Sequence, residues 1–190
     1  SDVYKRQTSS GSWTVTERSA FSAGTISSAG ETICNGASFS EIGSSSAASG
    51  GDGSISYTWH ESGGSAIGGA TSATYTPTAA GTYTRKAADG TCSTGGTTSS
   101  GSWTVTVRSA FSSGTISSTG ESFCATGSPS NTISSTAGAS GGDGSITYQW
   151  KKGSSVLASS NSATYAPSSA GTYTREAKDG TCNTSFTSSS

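Results

Sequence analysis

Four cysteines, one histidine and eleven acidic residues are the side chains of this chain that could hold a metal, form a covalent link or move a proton. The cysteines stand at positions 34, 92, 124 and 182, so Cys34 to Cys92 and Cys124 to Cys182 both span 58 positions. No C-x-x-C pair occurs, and His60 is the lone histidine, so the ligand set that zinc needs is missing and no metal site is expected. An even cysteine count at a recurring interval, in a chain poor in large apolar residues, points instead to disulfides in an exported protein. Four cysteines allow three connectivities. The within-repeat one, Cys34–Cys92 with Cys124–Cys182, is favoured because each repeat should fold independently. Closing a loop of this size contributes ~4 kcal/mol in the chain-entropy account.

Other candidate chemistry dissolves on inspection. Asp52, Asp89, Asp143 and Asp179 could reach calcium from loop ends, but none belongs to a D-x-D cluster and calcium takes six to eight oxygens. Each Asp is followed by Gly, which reads as a turn. Gly138-Ala139-Ser140-Gly141-Gly142 matches G-x-S-x-G, yet no helical pattern follows Ser140 and the other repeat has Ala47 there. Glu31 and Glu121 recur without a partner acid for glycosidase chemistry. Trp13, Trp59, Trp103 and Trp150 could stack sugars, but their alternation with apolar neighbours assigns them to a core. No catalytic residue and no cofactor is expected.

The elements that hold these residues come as a duplicate. Thr8 to Cys34 returns as Thr98 to Cys124, identical at 22 of 27 positions and offset by 90. Gly50 to Trp59 returns as Gly141 to Trp150, and Gly81 to Cys92 as Gly171 to Cys182; His60 becomes Lys151. A period this long marks one folded domain per repeat. An array of near-identical modules suits a spacer or binding chain better than an enzyme, which needs one asymmetric site. Asp2 to Gln7 has no counterpart and resembles the translation of a transposase adapter, so residues 1–7 are set aside as a scar. The absence of methionine and the stop at Ser190, where GSWTVT would be due again, are expected of a piece of a longer array.

Ser and Thr supply 76 of the 190 residues, against 11% charged residues and a net charge of −1. That balance gives no electrostatic footing for nucleic acid or an anionic membrane. No apolar run approaches the ~20 residues of a membrane span, so no membrane insertion is expected. Period-two alternation is clearest at Ile55, Tyr57, Trp59 and at Ile146, Tyr148, Trp150, each after a Gly-Gly-Asp-Gly turn. A short strand is expected over 72–76. Another is expected over 81–88 with Tyr83, Arg85 and Ala87 inward, and a last one over 102–108 with Trp103, Val105 and Val107 inward. Segments 35–49 and 60–71 differ in length between repeats and read as loops, where surface specificity could differ. Short strands separated by turns argue for an all-β fold of antiparallel sandwiches.

Three features add a likeness to these readings. The mid-domain Trp59 and Trp150, with Ala-Gly-Thr-Tyr opening a late strand, resemble immunoglobulin-like sandwiches. The motifs GTISSxGExxC, SGGDGSIxYxW, SATYxP and GTYTRxAxDGTC resemble the Ig-like/PKD-like tandem repeats of large Bacteroidetes-type surface proteins, among them gliding-motility-associated adhesins exported by the type IX system. The resemblance covers nearly all of 24–107 and 114–183. It implies that Tyr83 and Tyr173 are tyrosine-corner residues, and it departs from the antibody pattern in placing Arg85 where the second cysteine would be.

It also implies that GSWTVT closes a module. Residues 8–20 are then the last strand of a preceding repeat plus linker, 21–108 the first repeat, and 109–190 a second repeat lacking its last strand. Thr8 to Thr16 would be an orphan strand able to fill the vacant edge of a module. The function implied is a non-enzymatic, secreted or cell-surface extender with weak adhesion. Its partners are neighbouring repeats and surface polysaccharide or other cell-surface components. A glycan-binding module and the accessory stalk of an exported enzyme are the alternatives.

Overall fold

The structure is a computed structural model that describes residues 11–190; residues 1–7, set aside above, and 8–10 lie outside the described residues. Among the described residues there are thirteen strands and no helix. In chain order these are β1 (Thr25–Ile26), β2 (Glu31–Ile33), β3 (Ser44–Ser46), β4 (Ser56–Glu61), β5 (Gly81–Ala88), β6 (Thr97–Thr98), β7 (Trp103–Val107), β8 (Thr115–Ile116), β9 (Ser135–Ala137), β10 (Thr147–Lys152), β11 (Ser155–Val156), β12 (Tyr173–Lys178) and β13 (Thr187–Ser188). The fold is all-β. The chain forms two compact units that interleave in sequence. The first comprises the described residues up to Ser28, Ile42–Tyr75 and Tyr83–Trp103; the second comprises Ala29–Glu41, Thr76–Thr82 and Thr104–Ser190.

In the first unit β4 and β5 form an antiparallel ladder from Ser56 opposite Ala88 to Glu61 opposite Tyr83, and β6 continues it through Lys86 opposite Thr98. Alternation decides which face is buried, because successive side chains of a strand point to opposite sides. Trp59 and Arg85 are fully buried, and Tyr83 and Ala87 nearly so. The polar-side residues Thr58 and Lys86 are exposed. The short β1 and β3 pair antiparallel within the stretches 11–28 and 42–75, with an irregularity between Thr25 and Ile26.

The second unit repeats this plan. Its ladder runs β11–β10–β12–β13, with Trp150 opposite Arg175, and β8 pairs with β9. The same unit holds a parallel pair, β2 beside β7, with Glu31 opposite Val105 and Ile33 opposite Val107. Arg108 N donates to Ile33 O at 2.8 Å and extends that pairing by one residue. Val105 is buried at the centre of β7.

The strand expected over 72–76 shrinks to a single bridge, Tyr75 with Ile42, matched by Tyr165 with Ile133. Side chains explain the loss. Trp59 Nε1 donates to Ser72 O at 3.0 Å and Arg85 donates to Ala73 O at 2.7 Å, so the carbonyls that would extend a ladder are already used. Inside the segment read as loop, 35–49, three residues form β3.

Candidate functional site

The best-built local feature is a pair of interlocked aspartate turns at the end of each long hairpin. Because β4 and β5 are antiparallel neighbours, the turn before β4 and the turn after β5 meet. Asp89 Oδ1 accepts the backbone N–H of Thr91, Cys92 and Ser93 at 3.0, 2.5 and 2.7 Å, and Asp89 Oδ2 accepts Asp52 N at 3.3 Å. In return Thr91 Oγ1 donates to Asp52 Oδ2 at 2.7 Å and Gly90 N to Asp52 Oδ1 at 3.3 Å. A Cβ on Gly51 would sit 1.4 Å from Asp89 Oδ2, and its φ of +61° is open to glycine alone at low cost. The second repeat rebuilds this with Asp179 accepting Thr181 N and Cys182 N at 2.7 and 2.6 Å, and Thr181 Oγ1 donating to Asp143. These carboxylates are engaged by the turns, and among the described residues no three His, Cys, Asp or Glu side chains converge on a metal position.

All four carboxylates are held below their ordinary range. For Asp52 and Asp143 the leading cause is the threonine hydroxyl, followed by a backbone N–H. For Asp89 and Asp179 burial pushes upward, and the fan of backbone N–H donors outweighs it; Asp143 also pushes Asp179 upward. A carboxylate depressed in the folded state adds stability that is fully present above its unfolded value, near 3.9, and is lost as pH falls through the folded value. The urea midpoint is therefore expected to fall steeply below about pH 4. Asp89→Asn with Asp179→Asn should lower stability at neutral pH and flatten that acid limb. Profiles that stay parallel from pH 6 to pH 2.5 would contradict this role.

The turns carry cysteines, and here the structure corrects the sequence reading. Cys34 bonds Cys182, with Cα atoms 5.4 Å apart, while Cys92 and Cys124 are free and exposed. The expected Cys34–Cys92 and Cys124–Cys182 bonds are absent. Cys34 directly follows β2, and β2 is built into the second compact unit by its parallel ladder to β7, the strand that leads into the second repeat. Cys182 stands in that unit on the Asp179 turn, whereas Cys92 belongs to the first unit. The bond therefore ties one repeat to the next.

A second feature lies in the core. Arg85 sits fully buried opposite Trp59 and spends its guanidinium on four partners: Ser99 Oγ at 3.1 Å, Ser44 Oγ at 2.5 Å, Ala73 O at 2.7 Å and Ala23 O at 3.4 Å. Its face lies over Tyr57 at 4.6 Å. Burial lowers its pKa, partly offset by Tyr57. Arg175 repeats the arrangement, donating to Ser135 Oγ, to Ser189 Oγ at 3.0 Å and to Ala163 O at 3.0 Å, among others. A planar fork with five donors suits this many acceptors, where an ammonium would not. The sequence reading placed Arg85 inward but missed its role as a clamp between β5 and the β1–β3 side of the unit. The signal was a charged residue at an inward position of an identical GTYTR segment.

The remaining residues singled out in the sequence have structural surroundings. Trp59 stacks on Tyr75 and Tyr75 meets Tyr83 at a tilt, each pair 5.6 Å apart, and Trp150, Tyr165 and Tyr173 repeat the row at 5.5 Å. Trp150 is fully buried and its Nε1 donates to Ser162 O at 2.9 Å. Tyr173 is half-buried, and its hydroxyl donates to Ser169 O at 2.8 Å. Trp103 is half-buried with its Nε1 enclosed and unpartnered. Ser140 exchanges backbone hydrogen bonds with Ser112 at 2.8 and 2.9 Å, which makes it a bridge residue rather than a nucleophile on a strained elbow. Glu31 and Glu121 accept the backbone N–H of Ser40 and Ser130.

No protein-family model matches the chain, and no curated protein matches it. Solved structures of tandem immunoglobulin domains are similar to it. Sidekick-1 immunoglobulin domains 1–4, crystal form 1, align with a TM-score of 0.48 at 15% identity, over 92% of this chain and 49% of that chain. Sidekick-1 immunoglobulin domains 1–5 align with a TM-score of 0.46 at 16% identity, over 89% of this chain and 38% of that chain. This chain thus spans about half the length of the first of these. The all-β assignment stands on the strand ladders and not on this likeness.

Proposed function

We propose that the chain is a piece of a tandem Ig-like array that serves as a non-enzymatic, disulfide-stapled extender in a secreted or cell-surface protein of the adhesin kind. The Cys34–Cys182 bond carries this reading, because it joins the first repeat to the second. A covalent tie between successive modules suits a chain that transmits tension. Stable cystines belong to oxidising compartments outside the cytosol. Among the described residues no helix is long and apolar enough to cross a membrane. We place the module boundary after Arg108, with β7 closing the first repeat and leading without Gly or Pro into the second. The length-variable segments 35–49 and 60–71 are the places for weak contacts with surface polysaccharide or another cell-surface component. Trp59 and Trp150 cannot serve as sugar platforms while both are fully buried.

Pulling the oxidised chain by its ends tests the role. The 148 residues of sequence separation between Cys34 and Cys182 should stay short-circuited under force. Adding reductant should then release roughly 500 Å of contour at ~3.4 Å per residue. A chain that reaches its full contour before reduction, or that binds polysaccharide tightly and shows no resistance to force, would overturn the extender reading.

A further inference from the structure

Asn35-Gly36 is the single Asn-Gly pair of the sequence. It forms the middle of a turn that directly follows Cys34 and is closed by Ala37 N donating to Cys34 O at 3.0 Å. Gly36 has a φ of +80°, as the third residue of a type II turn requires. Both residues are exposed, and a Cβ on Gly36 would meet no atom within 4 Å. Among the described residues neither the Asn35 carboxamide nor the Gly36 N–H makes a hydrogen bond.

An asparagine carboxamide is an electrophile, and the backbone nitrogen of the next residue stands within ring-closing reach of it. A five-membered imide forms where that nitrogen is unshielded and the backbone around it turns freely, and glycine meets both needs. The other three asparagines precede Thr132, Ser162 and Thr184, each with a Cβ that crowds the nitrogen. Asn183 is held further, its Nδ2 donating to Ser185 O at 2.8 Å and to Thr187 Oγ1 at 3.0 Å.

The four Asp-Gly pairs could close the same ring, and the turns block them. All four glycine nitrogens are engaged. Gly53 N donates to Gly50 O at 3.3 Å and Gly144 N to Gly141 O at 3.2 Å, while Gly90 N donates to Asp52 Oδ1 at 3.3 Å and Gly180 N to Asp143 Oδ1 at 3.2 Å. Their carboxylates accept backbone N–H groups or threonine hydroxyls and stay ionised, which makes them poor electrophiles. The second repeat keeps the turn, with Gly127 N donating to Cys124 O at 2.8 Å, but has Ala125-Thr126 in place of Asn35-Gly36. The reactive arrangement is thus confined to one turn of the first repeat.

We propose that Asn35 is a self-modification site, converted through a cyclic imide with Gly36 into aspartate and isoaspartate while the chain stays folded. The Gly36 nitrogen attacks Asn35 Cγ and forms a C–N bond. The Cγ–Nδ2 bond breaks, and ammonia leaves with the proton of the attacking nitrogen. Water then opens the imide: at Cγ it gives aspartate, and at the Asn35 main-chain carbonyl it gives isoaspartate, whose backbone is longer by one methylene. No electrons are exchanged and water is the only co-reactant. Either product places a carboxylate in the 35–49 loop and takes the net charge from −1 to −2 (−1 − 1). Isoaspartate also lengthens the turn at the residue beside the Cys34–Cys182 cystine. A surface loop of the first repeat therefore carries a chemical mark of the molecule's age. The proposal rests on the turn and not on the extender role, so either can fail without the other.

The test is incubation of the oxidised 190-residue chain in warm, mildly alkaline buffer, followed by reduction, alkylation and tryptic mapping. Peptide 19–85 is expected to gain the mass of an amide replaced by an acid, and Asn35 is its only Asn or Gln, so the gain locates the reaction. Isoaspartate is read at each position by methylation with an isoaspartyl methyltransferase and by fragmentation. Asn35 should convert in the folded chain at about the rate seen in guanidinium chloride. Isoaspartate at the four Asp-Gly pairs should form roughly tenfold more slowly in the folded chain than in the unfolded one, because those turns must open first. Gly36→Ala should slow the conversion roughly tenfold by shielding the nitrogen. Asn35→Gln, which would need a larger ring, should leave peptide 19–85 at its original mass. A folded chain that keeps Asn35 intact while the unfolded chain converts would overturn the proposal. So would isoaspartate at Asp52 or Asp89 appearing as fast as at Asn35, or a Gly36→Ala rate equal to that of the parent.

Discussion

Replacing Cys34 with serine is expected to cost about 5 kcal/mol of stability, because the bond it removes closes a loop of sequence separation 148. At a urea slope of about 2 kcal/mol/M this is a fall of roughly 2.5 M in the midpoint. Cys182→Ser should lose the same amount, since the two residues share one bond. Cys92→Ser and Cys124→Ser should change little, both side chains being free and exposed. The pattern of two large losses and two near-zero ones separates the observed pairing from a within-repeat pairing, in which all four variants would be destabilised alike. A Cys92→Ser loss comparable to that of Cys34→Ser would contradict the structure.

Arg85→Met and Arg175→Met should each cost about 3–5 kcal/mol, because each strands two or more enclosed acceptors at about 1–3 kcal/mol apiece. For Arg85 those acceptors are Ala73 O and the Oγ of the buried Ser99, whereas Ala23 O keeps the Ser99 hydroxyl at 2.8 Å. Methionine fills much of the volume, so cavity formation is a minor part of the loss. Arg85→Lys keeps the charge but cannot fork, and it should recover less than half of the stability. Denaturant unfolding of the oxidised variants measures this. A methionine variant as stable as the parent would mean that the desolvation of the guanidinium already cancels its hydrogen bonds.

The long strands were legible and the short ones were not, for a physical reason. In β4 and β5 the inward residues are large and the outward ones polar, so period two is visible in Tyr57-Thr58-Trp59 and in Tyr83-Thr84-Arg85. The strands β1, β2 and β3 are two or three residues of Thr, Ser, Glu and Ile, too short to show a period. They exist only because a distant strand offers them hydrogen bonds. The aspartate turns could be read from Gly-Gly-Asp-Gly and Asp-Gly-Thr, but their interlocking needed the β4–β5 register.

Cysteine connectivity was illegible in principle. The within-repeat spacing is 58 and the observed separation is 148, which is 58 plus one period of 90, and a periodic sequence looks the same under either choice. What breaks the tie is β2 lying parallel to β7, a pairing that nothing in Glu31-Thr32-Ile33 announces. Arg85 was legible as an inward charge, and only the surrounding carbonyls made it a clamp.

Tryptic mapping under non-reducing conditions tests the cross-repeat joint most directly, because the four cysteines fall in four different tryptic peptides: 19–85, 87–108, 109–151 and 179–190. With Cys34 bonded to Cys182, peptide 19–85 is recovered linked to peptide 179–190, and the thiols of 87–108 and 109–151 are outside that bond. Recovery of 19–85 linked to 87–108, together with 109–151 linked to 179–190, would show each repeat stapled to itself and would contradict the joint.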